Sequence, residues 1–255
     1  MSERLAPRTV LVHPDADSVK AAGAARLITK LIDLQSTQAP IHIVLTGGSV
    51  GIGILAEVAN SPAAQAVDWS NTHVWWGDER FLPEGDPDRN ETQAREALLD
   101  HLGETLPADN VHPMPALNSA AVPTPAASAA LYAEELARFA KPGSAAPEFD
   151  ILMLGMGPDG HIASLFPGLP GVEITDQTVV GVEDSPKPPP QRVSLTLPVI
   201  QGAKEVWVSA AGADKAPAVA RALQSDDVSA TPAAAALGRG ASLWLIDVAA
   251  SQDLR

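Results

Sequence analysis

The stretch Asp150-Ile-Leu-Met-Leu-Gly-Met-Gly-Pro-Asp-Gly-His-Ile-Ala-Ser-Leu-Phe-Pro-Gly168 decides the fold. Residues 151–154 form a short apolar run bounded by Asp150 and by glycines at 155 and 157, the pattern of a buried strand. The glycines let the backbone turn sharply and approach a ligand where a Cβ would obstruct it. Asp159 and His161 follow, two residues apart, where the strand ends and a short helix is expected to begin. In open α/β sheets ligands bind at that edge, beyond the carboxyl ends of the strands. A lone histidine is more often a structural or surface residue. One placed after a glycine turn, behind an apolar strand and beside a carboxylate, is a candidate catalytic group.

Upstream, residues 9–12 read as a first strand, and Asp15 or Asp17 can cap a helix running to about Gln35, with Ala25, Ile28, Leu31 and Ile32 at helical spacing. Pro40 breaks the chain and residues 41–45 form the next strand. Thr46-Gly-Gly-Ser-Val-Gly-Ile-Gly53 then opens a helix through about Asn60. Strand, glycine turn and helix point free backbone N–H groups at an anion, which makes the amides of Gly47, Gly48 and Ser49 candidate phosphate donors. A plain tight turn is the competing reading. The spacing matches neither the P-loop nor the dinucleotide fingerprint, because Gly51 and Gly53 fall inside the helix. Residues 73–76 give a third strand, with Gly77-Asp-Glu-Arg80 at its end. There Arg80 can fork onto a phosphate or carboxylate, or pair with a neighbouring acid and shape the loop. Residues 86–90 read as a loop, 91–102 as a helix, 113–125 as a loop rich in Pro, Ala and Ser, and 126–141 as a helix.

Downstream, residues 185–190 (Ser-Pro-Lys-Pro-Pro-Pro) predict an exposed polyproline segment. Arg192-Val-Ser-Leu-Thr-Leu-Pro198 follows, then a strand at 205–210. Gly212-Ala-Asp-Lys-Ala216 opens a helix reaching about Leu223, and a strand at 242–248 closes the chain. Repeated strand-then-helix units predict an α/β fold, a mostly parallel sheet with helices on both faces. No composition shift marks a boundary, so residues 1–255 are expected to form a single domain.

Composition narrows the function. The chain has no cysteine, which excludes disulfides, thiolate catalysis and cysteine-ligated metals. His13, His42, His73, His101 and His112 have no companions at metal-ligand spacing and read as structural. A net charge of −14 argues against nucleic acid, and no apolar run is long enough to span a membrane. The first eight residues lack the apolar segment of a signal peptide, so a cytoplasmic location is expected. An anionic small substrate would need a local cluster of cations, which can work because distant negative charge is screened beyond about 8 Å.

Three of these motifs together, Gly77-Asp-Glu-Arg80, the Gly155–Gly168 run and Arg192-Val-Ser-Leu-Thr-Leu197, resemble the 6-phosphogluconolactonase family. The Gly47-Gly-Ser49 turn and Gly212-x-x-Lys215 stand at the expected places in chain order, so the resemblance extends from Thr46 to Lys215. It implies a Rossmann-like fold shared with sugar-phosphate isomerases. It also implies hydrolysis of a phosphorylated sugar lactone, 6-phospho-D-glucono-1,5-lactone, with neither metal nor nucleotide cofactor. Its partner is thus a small sugar phosphate, with no nucleic acid and no membrane; oligomeric state stays open and a monomer fits.

A lactone carbonyl is electrophilic enough for activated water, so one general base suffices. His161 is the candidate base, since an unperturbed imidazole titrates at about 6.5, and Asp159 is the candidate group that orients it. Arg80, Arg192 and Lys215, with the amides of Gly47, Gly48 and Ser49, are the candidate phosphate donors. An amide of the Gly155–Gly157 turn is the candidate oxyanion donor. Glucosamine-6-phosphate deaminases resemble the chain in their Asp-Gly-His segment, but carry Asn-Glu-Pro after the histidine where this chain has Ser164-Leu-Phe-Pro167. A non-catalytic sugar-phosphate sensor would carry a helix-turn-helix and a basic face; the first strand begins near residue 9 and the charge is −14.

Overall fold

The computed structural model describes residues 5–118 and 120–254. Residues 1–4, which include half of the segment read for targeting, residue 119 in the expected 113–125 loop, and residue 255 lie outside the described residues. In chain order the strands and α-helices are β1 (Arg8–His13), α1 (Ala16–Gln35), β2 (Ile41–Leu45), α2 (Gly48–Asn60), β3 (Thr72–Trp76), β4 (Asp78–Arg80), α3 (Asn90–Ala94), α4 (Asp100–Leu102), α5 (Pro125–Arg138), β5 (Ile151–Gly155), β6 (Val179–Val182), β7 (Arg192–Leu195), α6 (Leu197–Gln201), β8 (Glu205–Ala210), α7 (Ala216–Gln224) and β9 (Ala241–Asp247).

Six strands form one parallel sheet in the order β1-β9-β8-β5-β2-β3. β5 is central and its first four residues are buried, as an unbroken apolar run should be when helices cover both faces. α1 starts where Asp15 Oδ1 accepts the Ser18 amide at 2.8 Å, and α5 where Thr124 Oγ1 accepts that of Ala127 at 3.2 Å. α2 has Gly47 at its N-cap and no side-chain cap, so its first amides are left for another acceptor.

From β2 the sheet grows through β3 in one direction; from β5 it grows through β8 and β9 in the other. The switch point therefore lies between β2 and β5, where open parallel sheets leave a crevice. These two strands pair only at Ile43↔Ile151 and Val44↔Leu152. Beyond that ladder, the Gly155 amide donates to Thr46 Oγ1 at 3.0 Å instead of to a strand carbonyl.

Four features differ from expectation. No helix follows His161: Gly160 has φ +91°, Ala163 has φ 48°, and Pro158 and Pro167 flank them, so the chain makes successive turns instead of a right-handed helix. A second, antiparallel sheet β4-β7-β6 lies after the first, with β4 following β3 through Gly77. The segment 185–190 is a closed loop, not an extended polyproline arm: the Ser185 amide donates to Pro190 O at 2.9 Å and Ser185 is buried. The helix expected over 91–102 widens into a π turn at Arg95–Leu99 between α3 and α4, which lets the adjacent Leu98 and Leu99 both face the core. The isolated histidines also meet. His42, His73 and His112 stack with ring centroids 4.9 and 5.2 Å apart near the amino ends of β2 and β3.

Candidate active site

A cleft of about 310 Å³ opens at the switch point. One wall comes from the turn after β2 (Thr46, Gly47, Gly48), a second from the turn after β5 (Gly155 to Pro158, His161), and a third from β4, β7 and the 185–190 loop (Arg80, Arg192, Lys187). Lys215 closes it from the segment before α7. A larger cleft of about 490 Å³ lies elsewhere, between Lys141, Thr178 and Pro198. It holds no histidine, and its Glu148 is already ion-paired with Lys141 and Arg239. Size does not locate the chemistry here.

The turn after β5 brings Asp159 and His161 together. The Gly157 amide donates to His161 O at 3.1 Å and the Gly160 amide to Gly157 O at 2.9 Å, folding the loop back on itself. His161 Nδ1 then lies 2.6 Å from Asp159 Oδ1. Because a carboxylate oxygen can only accept, Nδ1 carries the proton and Nε2 holds the lone pair. Nε2 has no hydrogen-bond partner among the described residues, and the ring lines the cleft. Phe166 packs against the ring, its centroid 4.5 Å from that of His161. A Cβ on Gly157 would sit 2.1 Å from His161 Cε1 and 2.4 Å from Asp159 Oδ1, so only glycine permits this pairing. Burial works to raise the Asp159 carboxyl. The hydrogen bond from His161, the charge its ring carries when protonated, and the charge of Lys187 outweigh it, and hold the group well below the usual carboxylate range.

The cations converge through the second sheet. Arg80 and Arg192 are direct partners in the β4–β7 register. Like charges placed opposite each other are destabilising unless something offsets them. Arg80 Nη1 donates to Asp88 O at 2.8 Å. Arg192 donates through Nε to Pro189 O at 3.1 Å and through Nη2 to Pro188 O at 3.0 Å, so it also fastens the 185–190 loop. Burial pulls the Arg192 guanidinium below its ordinary value, with Asp78 opposing the shift. Lys215 Nζ stands 3.2 Å from Asp214 Oδ2. Gly47 and Gly48 line the cleft at the start of α2, whereas Ser49 is exposed and its side chain is not part of the wall.

Three wall residues escaped the reading of the sequence. Asp78 is buried, accepts from Ser164 Oγ at 2.7 Å, and sits in the quoted Gly-Asp-Glu-Arg motif, where only the arginine drew attention. Asn90, expected in a loop, donates through Nδ2 to Asp78 O at 2.8 Å, and its Oδ1 would clash at 1.9 Å with any Cβ on residue 47. Lys187 was hidden in the proline run. Ser164, at the segment where deaminases carry a glutamate, is buried and spent on Asp78. Among the described residues no group of three His, Cys, Asp or Glu could hold a metal ion, and no helix is long and apolar enough to cross a membrane.

Fold and site together define a parallel-sheet α/β protein with a histidine–carboxylate pair in a cation-lined cleft at the switch point. The family model for glucosamine-6-phosphate isomerases/6-phosphogluconolactonase matches residues 14–244, and the chain belongs to that family. The 6-phosphogluconolactonase of Streptomyces coelicolor is 53% identical over 247 residues, 96% of this chain and 94% of that protein. That of Mycobacterium tuberculosis is 45% identical over 246 residues, 96% and 98% of the two chains. The solved structure of 6-phosphogluconolactonase from Trypanosoma brucei superimposes with a TM-score of 0.80 at 29% identity, covering 99% of this chain and all of the other.

Proposed function

We propose that this protein hydrolyses 6-phospho-D-glucono-1,5-lactone to 6-phospho-D-gluconate, in the oxidative pentose phosphate pathway of the cytoplasm. The observation that carries the mechanism is the 2.6 Å contact between His161 Nδ1 and Asp159 Oδ1, which leaves Nε2 as the basic nitrogen of a ring that lines the cleft. In this reading Nε2 takes a proton from water as the water oxygen bonds to the lactone carbonyl carbon. Asp159 steadies the imidazolium. Negative charge gathers on the former carbonyl oxygen, where the Gly157 region offers the candidate donor. The tetrahedral intermediate collapses by breaking the bond to the ring oxygen, which receives the proton from Nε2, and the open-chain acid leaves. Arg192, Lys215, Arg80 and the first amides of α2 hold the phosphate, an arrangement supported by two arginines facing each other across β4 and β7.

A coupled assay on freshly generated lactone, corrected for spontaneous hydrolysis, tests this directly. His161→Ala is expected to lose on the order of 10²–10⁴-fold in kcat with little change in KM. Near-wild-type turnover in that variant removes His161 from the mechanism. Activity is also expected to survive exhaustive chelation; loss restored by one divalent ion overturns the metal-free reading.

A further inference from the structure

Asp159 Oδ1 is shared. Besides His161 Nδ1 at 2.6 Å it receives Lys187 Nζ at 3.2 Å, and the same Nζ lies 3.3 Å from His161 Nδ1. Since Nδ1 already carries a proton donated to the carboxylate, ammonium and imidazole cannot hydrogen-bond each other there. They are two donors competing for one oxygen. We propose that Lys187 is a positioning residue for the hydrolysis, fixing the Asp159 carboxylate and opposing charge on the His161 ring so that the ring stays neutral and ready to accept a proton.

The inference rests on His161 acting as the base. A cation held against Nδ1 disfavours the imidazolium twice: by direct repulsion, and by neutralising part of the carboxylate that would stabilise it. The other groups around the ring do not duplicate this role. Arg192 lies with its Cζ 5.9 Å from the Phe166 centroid, and its guanidinium is bonded to the Pro188 and Pro189 carbonyls, not to the His161–Asp159 pair. Asp78 is engaged with Ser164 and Asn90. Arg80 and Lys215 line the same cleft but are paired with Asp88 and Asp214. The 185–190 loop does not depend on the lysine side chain for its shape. It is held by main-chain groups of Lys187: the amide donates to Ser185 Oγ at 3.2 Å, and the carbonyl accepts from that hydroxyl at 3.0 Å and from Arg192 Nη2 at 3.4 Å.

The test combines pH–rate profiles with an NMR titration of the His161 ring in wild type, Lys187→Met and Lys187→Arg. In Lys187→Met the acid limb of kcat/KM is expected to move up by roughly one pH unit, the ring resonances to titrate higher by the same amount, and kcat near neutral pH to fall several-fold. Lys187→Arg should restore both positions. A lysine that merely braced the loop or touched substrate would alter KM or melting temperature and leave both titrations where they were. That outcome overturns the inference. A shifted ring titration in a protein that hydrolyses no lactone upholds the electrostatic assignment and overturns the function instead.

Discussion

Gly157 carries more of the site than its lack of a side chain suggests. The His161–Asp159 pair exists because residue 157 leaves room for an imidazole edge and a carboxylate within 2.4 Å of where a Cβ would stand. Gly157→Ala is therefore expected to push the His161 ring off Asp159 and to lower kcat by at least about 10²-fold, since acid–base catalysis depends on placement. The folding penalty should be small, because the clash is with side chains of a turn. Kinetics and a thermal melt on the same preparation check both halves; an active Gly157→Ala would mean the pair moves as a unit. The sequence showed this neighbourhood well. Asp159, Gly157 and His161 could be read from one stretch because a tight turn keeps chemistry local. Lys187 could not, since nothing in a Ser-Pro-Lys-Pro run reveals that the loop doubles back onto a histidine 26 residues earlier.

At the scale of elements, the parallel sheet was legible and the small antiparallel one was not. Unbroken apolar runs such as 151–154 announce strands covered on both faces. Asp78–Arg80 is three charged residues, buried or half-buried as a strand only because β7 pairs with it. That pairing separates the cations by function. Lys215 comes from a short helical turn and holds no loop, so Lys215→Ala should raise KM and leave kcat nearly unchanged, as loss of uniform phosphate binding does. Arg192, a phosphate ligand in the proposed reading, also fastens residues 188 and 189 by its guanidinium. Arg192→Ala should raise KM, by about 2–5 kcal/mol of lost binding, and lower kcat as well because the loop carrying Lys187 loosens. Arg192→Lys should recover little, having no fork. Steady-state kinetics on the three variants decide it; a wild-type KM in both alanine variants would place the phosphate elsewhere.

Across the whole molecule, ionisation links the two ends of the sheet to stability in opposite directions. The stacked histidines lie near the amino ends of β2 and β3, where His42 accepts from Trp75 Nε1 at 3.2 Å and His112 pairs with Glu135. Burial, with the neighbouring His73, pulls His42 down to about 4, and burial also lowers His73 and His112. Between pH 6.5 and 4 the unfolded chain binds protons that these rings refuse, so stability falls as pH falls through that window. For His42 alone the loss is on the order of 3 kcal/mol. Glu79 works the other way. Burial raises it to about 7, against the charge of Arg89 and the amides of Glu91, Asn90 and Arg80, so on acidification it takes up a proton in the folded state first and stability rises. The slope of wild-type stability against pH is thus a difference between two sites and identifies neither. His42→Gln keeps an acceptor for the Trp75 indole while removing the titration. Denaturant melts at pH 7.5, 6, 5 and 4.5 should show the variant losing less stability than wild type on acidification, by up to about 2–3 kcal/mol at the lowest pH. Parallel curves would mean that the stacked rings accept protons in the folded protein, and that the buried cluster is open enough to solvate them.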